Sequence, residues 1–403
     1  NLLGPEIVGT VSLIIFSVAV IQLLTNFFAG SALVYLTPRT GIYRLFIPAY
    51  AWSFILSAGA TALLLLAGRV WPVTGIIPEG YGLHVAALAL VLSLSSANQM
   101  LLLGLEKIRA VNVISLVQSV VMLAVLLLML FGSGTRTVIT MYAALLVSGL
   151  AALVLGLISL RKDWKRVPLT GMGPLLGEIL RFGTYVQVAN LCQTLNYRIS
   201  LKFVDHFSGR GAVGVLSLGL QLAESLWIIS RSMATVQFAR LSNDNDFQNG
   251  VRLTVSLVKV SLVVTTLAML MLLTIPSAVY EWVFSARFTE VKAVITALAA
   301  GIVALSISII LSGFFSGINK PWHNTISSAA GLVFTVIFGL WLIPAYGIRG
   351  AGVSASVSYL AITLYQLIVF ARLSGTRVAD WIPRRNDFTR LVSSMRQAMD
   401  RNG

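Results

Sequence analysis

The chain has 403 residues, of which 57% are hydrophobic and 11% charged, with a net charge of +15 and a mean hydropathy of +0.88. Soluble domains carry about 25% charged residues, and a water-soluble body of this size has too little interior to hide so much apolar surface. The composition therefore excludes a soluble enzyme and asks for the bilayer as solvent. The basic residues sit in short segments between apolar runs, which is the positive-inside pattern and not a nucleic-acid patch.

Apolar runs of about 18 residues or more read as spanning helices. Eleven are present, near 7–36, 45–68, 82–104, 110–131, 137–160, 179–205, 212–239, 253–275, 291–317, 323–344 and 348–371. Helix breakers separate them, among them Pro38 and Gly41, Pro72, Gly132 and Gly134, Pro321 and Gly347. Alternate connections carry Arg39 and Arg44, Lys107 and Arg109, Arg161 to Arg166, Arg240 and Arg252, Lys320, and a tail from Arg372 onward, 18 Lys and Arg against 6 on the other side. That bias places the C-terminus in the cytoplasm and, with eleven spans, the visible N-terminus outside.

The longest connection, 161–178, is basic and holds Pro168, Gly171, Gly173 and Pro174. It reads as a cytoplasmic linker between a lobe at 1–160 and a second at 179–372, or as an ordinary positive-inside loop. Residues 373–403 form a basic tail in which Phe388, Leu391, Val392, Met395 and Met399 are spaced for an amphipathic helix on the cytoplasmic leaflet, a disordered tail being the alternative.

The lobes show internal repetition. Gly4, Val8, Gly9, Ser12 and Leu13 recur 205 residues on as Gly209, Val213, Gly214, Ser217 and Leu218, and Gly104-Leu-Glu-Lys107 recurs 213 residues on as Gly317-Ile-Asn-Lys320. Six spans separate the members of each pair, which predicts parallel repeats about an axis along the membrane normal.

A charge at mid-span costs about 3 kcal/mol on insertion scales, so such residues mark wet or protein-lined interior. Here they concentrate in three consecutive spans: Arg198 and Lys202, then Glu224 and Arg231, then Lys259. On the sixth span Gln187, Asn190, Thr194, Arg198, Lys202 and Asp205 recur at intervals of 3 and 4, one face of a helix. On the seventh, Ser217, Gln221, Glu224, Ser225, Arg231, Ser232 and Thr235 repeat the pattern. The two faces suit a shared hydrated cavity, with Arg198, Lys202, Arg231 and Lys259 as a well for an anionic head group and Gln187, Asn190 and Gln221 beside it. Interhelical ion pairing of Glu224 with Arg198, Lys202 or Arg231 is the structural alternative. Glu224 suits a switch between access states, in which a bound anion competes for its cations. Gln22, Thr25, Asn26, Asn98, Gln99, Asn112 and Gln118 in the first lobe suit interhelical hydrogen bonds.

No phosphate-binding glycine loop, metalloprotease helix, paired-cysteine site or nucleophile elbow occurs, so no enzyme, catalytic residue, cofactor or metal site is expected. The single cysteine, Cys192, lies in an apolar run.

Three stretches carry a resemblance: Leu3-Gly-Pro-Glu-Ile-Val-Gly9 leading to Gly30-Ser-Ala-Leu-Val34; Leu180-Arg-Phe-Gly183, Leu195-Asn-Tyr-Arg198, Gly211 to Leu218 and Phe238-Ala-Arg-Leu241; and Gly317 to Lys320 with Leu342-Ile-Pro344 and Gly347 to Gly352. Together they resemble the polysaccharide-transporter family, the O-antigen and exopolysaccharide flippases of the multidrug/oligosaccharidyl-lipid/polysaccharide exporter superfamily. The resemblance implies an all-α polytopic protein of twelve helices in two six-helix lobes around a central cavity. One further helix is then expected before Asn1. It also implies alternating-access flipping of undecaprenyl-pyrophosphate-linked oligosaccharide in the bacterial cytoplasmic membrane. Membrane lipids, a polysaccharide polymerase and a chain-length regulator are its implied partners. Coupling to H⁺ or Na⁺ through Glu224, Asp205 and Asn26 is the expected drive, although Thr25 and Asn26 stand where family members often carry an acid. The alternatives are a peptidoglycan-precursor flippase and a cation-coupled small-molecule antiporter of the same superfamily.

Overall fold

The computed structural model describes residues 5–70, 77, 80–132, 137–165, 167–168, 170–244, 246–284, 290–377 and 381. Among them the regular structure is helical, with no strand. Among the described residues eight helices are long and apolar enough to cross a membrane, and a bent pair at 211–243 adds a ninth. The chain is a multi-spanning helical membrane protein. Each of the eleven apolar runs has a helical counterpart.

Two compact units divide the chain, residues 1–187 and 188–403. The first holds α1 (Pro5–Ala29), α2 (Ser31–Thr40), α3 (Ile42–Val70), α4 (Gly82–Gly104), α5 (Ile108–Leu127) and α6 (Val138–Leu160), and the start of α7 (Met172–Ser208), which crosses the division. Its core gathers Ile14, Val18 and Ile21 of α1 with Ala60 of α3 and Val85, Leu88 and Ala89 of α4. Polar contacts tie α4 to α1, α3 and α6: Thr25 Oγ1 lies 3.0 Å from Ser93 Oγ, and Tyr50 donates to Asn98 Oδ1 at 2.8 Å while Asn98 Nδ2 reaches the Leu153 carbonyl at 3.4 Å. At one end Lys107 pairs with Asp163.

The second unit holds α8 (Arg210–Glu224), α9 (Trp227–Asn243), α10 (Phe247–Thr274), α11 (Ser277–Phe284), α12 (Val291–Gly317) and α13 (Trp322–Ser374). α13 is two helices joined at Gly347, whose φ of 58° and ψ of −132° interrupt the helix. Only glycine adopts that conformation freely. α12 is central, packed on α8, α9, α10 and α13, as α4 is central in the first unit, packed on α1, α2, α3, α5 and α6. The helix ends repeat as well. A methyl group on Gly104 would meet Thr37 Cβ at 2.7 Å, and one on Gly317 would meet Leu241 Cβ at 2.6 Å. In each unit, then, the end of the central helix closes directly on the second half of a broken helix.

Two expected continuous spans are broken. The first divides at Gly30. The seventh bends by 48° at Ser225 and Leu226, so Glu224 and Arg231 do not share one straight helical face. The cause is local. Ser225 Oγ donates to the Leu222 carbonyl at 2.7 Å, and the amides of Leu226 and Ile228 bond three residues back, to Ala223 and Ser225. Trp227, fully buried, donates its indole N–H to the Ile302 carbonyl of α12 at 3.0 Å and packs edge-on to Tyr359. A large side chain anchored in the core draws the start of α9 out of line with α8. α7 begins at Met172, inside the stretch expected as linker. The expected amphipathic tail helix lies outside the described residues; before it, Trp381 folds back on Phe370 and donates to Thr376 Oγ1.

Candidate functional site

The expected site residues of the second unit fall on α7 to α10. α7 has two faces. One packs on α13: Ser328 donates to Gln193 Oε1, Thr335 to Asn196 Oδ1, and Asn196 Nδ2 to Ser358 Oγ at 3.0 Å. Farther along, the Phe203 ring lies so close to Gly339 that a methyl group there would meet it at 2.9 Å. This face is fixed by hydrogen bonds and a tight apolar contact.

The other face carries Asn190, Thr194, Lys202 and Asp205, all exposed, interleaved with exposed Leu191 and Leu195. Arg198 belongs to this face by its place in the helix; its side chain lies outside the described residues. Gln187 is buried and belongs to the first unit. Among the described residues no acid stands within 4 Å of the Lys202 ammonium or the Arg231 guanidinium, so neither forms an ion pair with Glu224.

On α8, Gln221 is exposed and donates to Ser217 Oγ at 3.3 Å, and Glu224 is half-buried with polar contacts of its own. On α9, exposed Arg231, Ser232 and Thr235 alternate with exposed Ile228, Ile229 and Val236. The Arg231 guanidinium stands 5.8 Å from the centroid of the Trp227 ring, a cation–π contact that holds it beside the bend. Lys259 of α10 is 8% exposed, so its charge is held within protein. Asn26, in the first unit, is half-buried on α1.

The arrangement leaves two exposed cations, Lys202 and Arg231, in arcs where polar and apolar side chains alternate. Lipid is a poor neighbour for such arcs, since an unpaired cation facing hydrocarbon is costly. An aqueous path or an amphiphilic solute is a good one. Ser208, at the end of α7 and one turn past Asp205, lines an open cleft of about 770 Å³ at the Gly347 break with Ala212, Glu290, Tyr346 and Arg349. No group of three or more metal-ligating side chains occurs among the described residues.

Sequence reasoning passed over Asn196 and Gln366. Gln366 is buried and binds Ser312 Oγ at 3.0 Å, Asn324 Oδ1 at 3.3 Å and Ser327 Oγ at 3.1 Å while accepting from Ser308 at 2.7 Å. Their signal was a neutral amide in an apolar run, which the sequence reading used for interhelical bonds in the first lobe but not at these two positions of the second.

No protein-family model and no curated protein matches the chain. Solved structures do. An outward-facing multidrug resistance MATE transporter of the MOP superfamily matches with a TM-score of 0.73 and 15% identity, over 93% of this chain and 90% of its own. The MATE transporter ClbM, in complex with Rb⁺, matches at 0.74 and 14%, over 92% and 89%. A MOP superfamily transporter from Pyrococcus furiosus, described as having a binding pocket of reverse polarity that suggests a different function, matches at 0.71 and 16%, over 92% and 89%. The chain has the fold of the MATE transporters of the MOP superfamily.

Proposed function

We propose that the chain is an alternating-access membrane transporter that moves a small organic solute in exchange for H⁺ or Na⁺. The observation that carries this reading is the fold, matched over more than nine-tenths of the chain by transporters, one of them named as a multidrug resistance transporter in an outward-facing conformation. A second transporter of this fold is described with an alkali cation bound. These neighbours favour the small-molecule antiporter over the flippase.

A second reading is kept for a specific observation. Lys202 and Arg231 are exposed cations set among exposed Leu191, Leu195, Ile228 and Ile229, and that mixture suits a lipid-linked anion such as an undecaprenyl-pyrophosphate-linked oligosaccharide. Arg clamps phosphate with two donors and Lys adds a point charge. The Pyrococcus furiosus protein supports the premise that this fold carries pockets of more than one polarity. Under this reading the cytoplasmic membrane, an inward-facing C-terminus, a polymerase and a chain-length regulator complete the setting.

Purified chain in proteoliposomes separates the two. Under the first reading, an imposed H⁺ or Na⁺ gradient drives accumulation of organic cations or anions, and an ionophore abolishes it. Flipping of a fluorescent undecaprenyl-pyrophosphate sugar without organic-ion uptake replaces the first reading with the second. Absence of both activities from well-folded protein overturns both.

A further inference from the structure

We propose that α11 is an interfacial anchor that lies in the head-group region of the bilayer and binds lipid through Trp282, Val279 and Val283. The sequence pattern treats 276–290 as a short connection, yet it contains this eight-residue helix, joined to the membrane-crossing α10 by Ile275 and Pro276. A helix so tethered starts at the membrane boundary.

One side of α11 is fixed to the protein. Tyr280 is buried in the core cluster with Leu298 and Ile302, and its hydroxyl donates to the Leu272 carbonyl at 3.1 Å. Leu272 lies in the last turn of α10, where carbonyls lack helical partners, so the bond also closes that helix end. The arc centred near Trp282, flanked by Val279 and Val283, faces away from protein. Trp282 is 87% exposed, Val283 53% and Val279 43%. The two valines are one turn apart and the indole stands next to them, which gives a single apolar stripe.

The rest of this end of the unit identifies the occupant. Chain direction returns the first half of α13 to the end where α10 stops and α12 starts, and there Trp341 and Tyr346 are 70% and 67% exposed. Tyr346 also lines the cleft at Gly347, so Trp341 is the closer parallel: an exposed Trp near the end of a membrane helix sits among head groups, the ring in the apolar boundary and its polar edge in water. α11 extends that level with a helix lying along the boundary. Its partner is the lipid surface.

The test uses the full chain in liposomes with Cys192→Ser and one nitroxide at a time, on Trp282→Cys, Val279→Cys or, as an aqueous reference in the first turn of α10, Gln248→Cys. Collisional access to oxygen should exceed access to a water-soluble nickel chelate at 282 and 279, and the order should reverse at 248. Nickel access at 282 and 279 equal to that at 248 would place the stripe in water. Protection from both reagents would place it against protein, a second copy included. Either result overturns the proposal.

Discussion

Glu106 and Asn319 share a left-handed φ, 57° and 59°, and among the described residues they are the two non-glycine positions with positive φ. Each stands two residues beyond the glycine that ends its unit's central helix. After each, a lysine amide reaches back five residues, Lys107 to the Leu102 carbonyl at 3.0 Å and Lys320 to Phe315 at 2.7 Å. This is the same helix stop built twice, with a left-handed residue closing the last carbonyls.

The stop predicts an asymmetric response at Asn319. Asn tolerates the left-handed region and alanine does not, so Asn319→Ala should cost about 1 kcal/mol while Asn319→Gly stays close to neutral. Thermal unfolding in detergent reads the difference. Equal losses for both variants would show that the side chain, and not the backbone, decides the position.

Gly317→Ala should destabilise the protein by about 1–3 kcal/mol, because the added methyl would stand 2.6 Å from Leu241 Cβ in a packed contact. A companion variant, Gly317→Ala in a Leu241→Gly background that removes the contacted Cβ, should recover part of the loss. Recovery absent from unfolding curves of the pair would remove the direct contact as the cause.

Gln366→Leu should cost about 2 kcal/mol. Interhelical hydrogen bonds in membranes average about 0.6 kcal/mol each, and about three are lost: the two amide hydrogens shared among Ser312, Asn324 and Ser327, and the bond accepted from Ser308. Urea or SDS unfolding measures it, and a loss below about 0.5 kcal/mol would show that the serines find other partners.

Lys202→Gln and Arg231→Gln should leave stability within about 0.5 kcal/mol, as expected for exposed side chains, and should cut transport strongly. Normal unfolding with normal transport for both would remove the two cations from the path.

The spans and the repeat were legible because each rests on a strong local signal. Apolar length marks a helix wherever it falls, and Gly104 with Lys107 against Gly317 with Lys320 repeats the chemistry of one helix stop. The bend at Ser225 and Leu226 was not legible. Its cause is Trp227 reaching the Ile302 carbonyl 75 residues away, a contact that apolar periodicity does not register. α11 escaped notice because eight residues fall short of a membrane-spanning window. The polar face of α7 was read in part. Asn190, Thr194, Lys202 and Asp205 are exposed, whereas Gln187 is buried against its neighbours.

The central claim, a transporter with α7 and α9 lining its aqueous path, is tested most directly by thiol access. Thr194→Cys and Thr235→Cys, each in a Cys192→Ser background and each replacing an exposed side chain, are placed in sealed vesicles of known orientation. A membrane-impermeant maleimide is added to one side or the other. Alternating access predicts modification of both positions from either side, with a transported solute changing the ratio of the two rates. Modification from neither side would place these arcs in lipid or sealed protein and contradict the account.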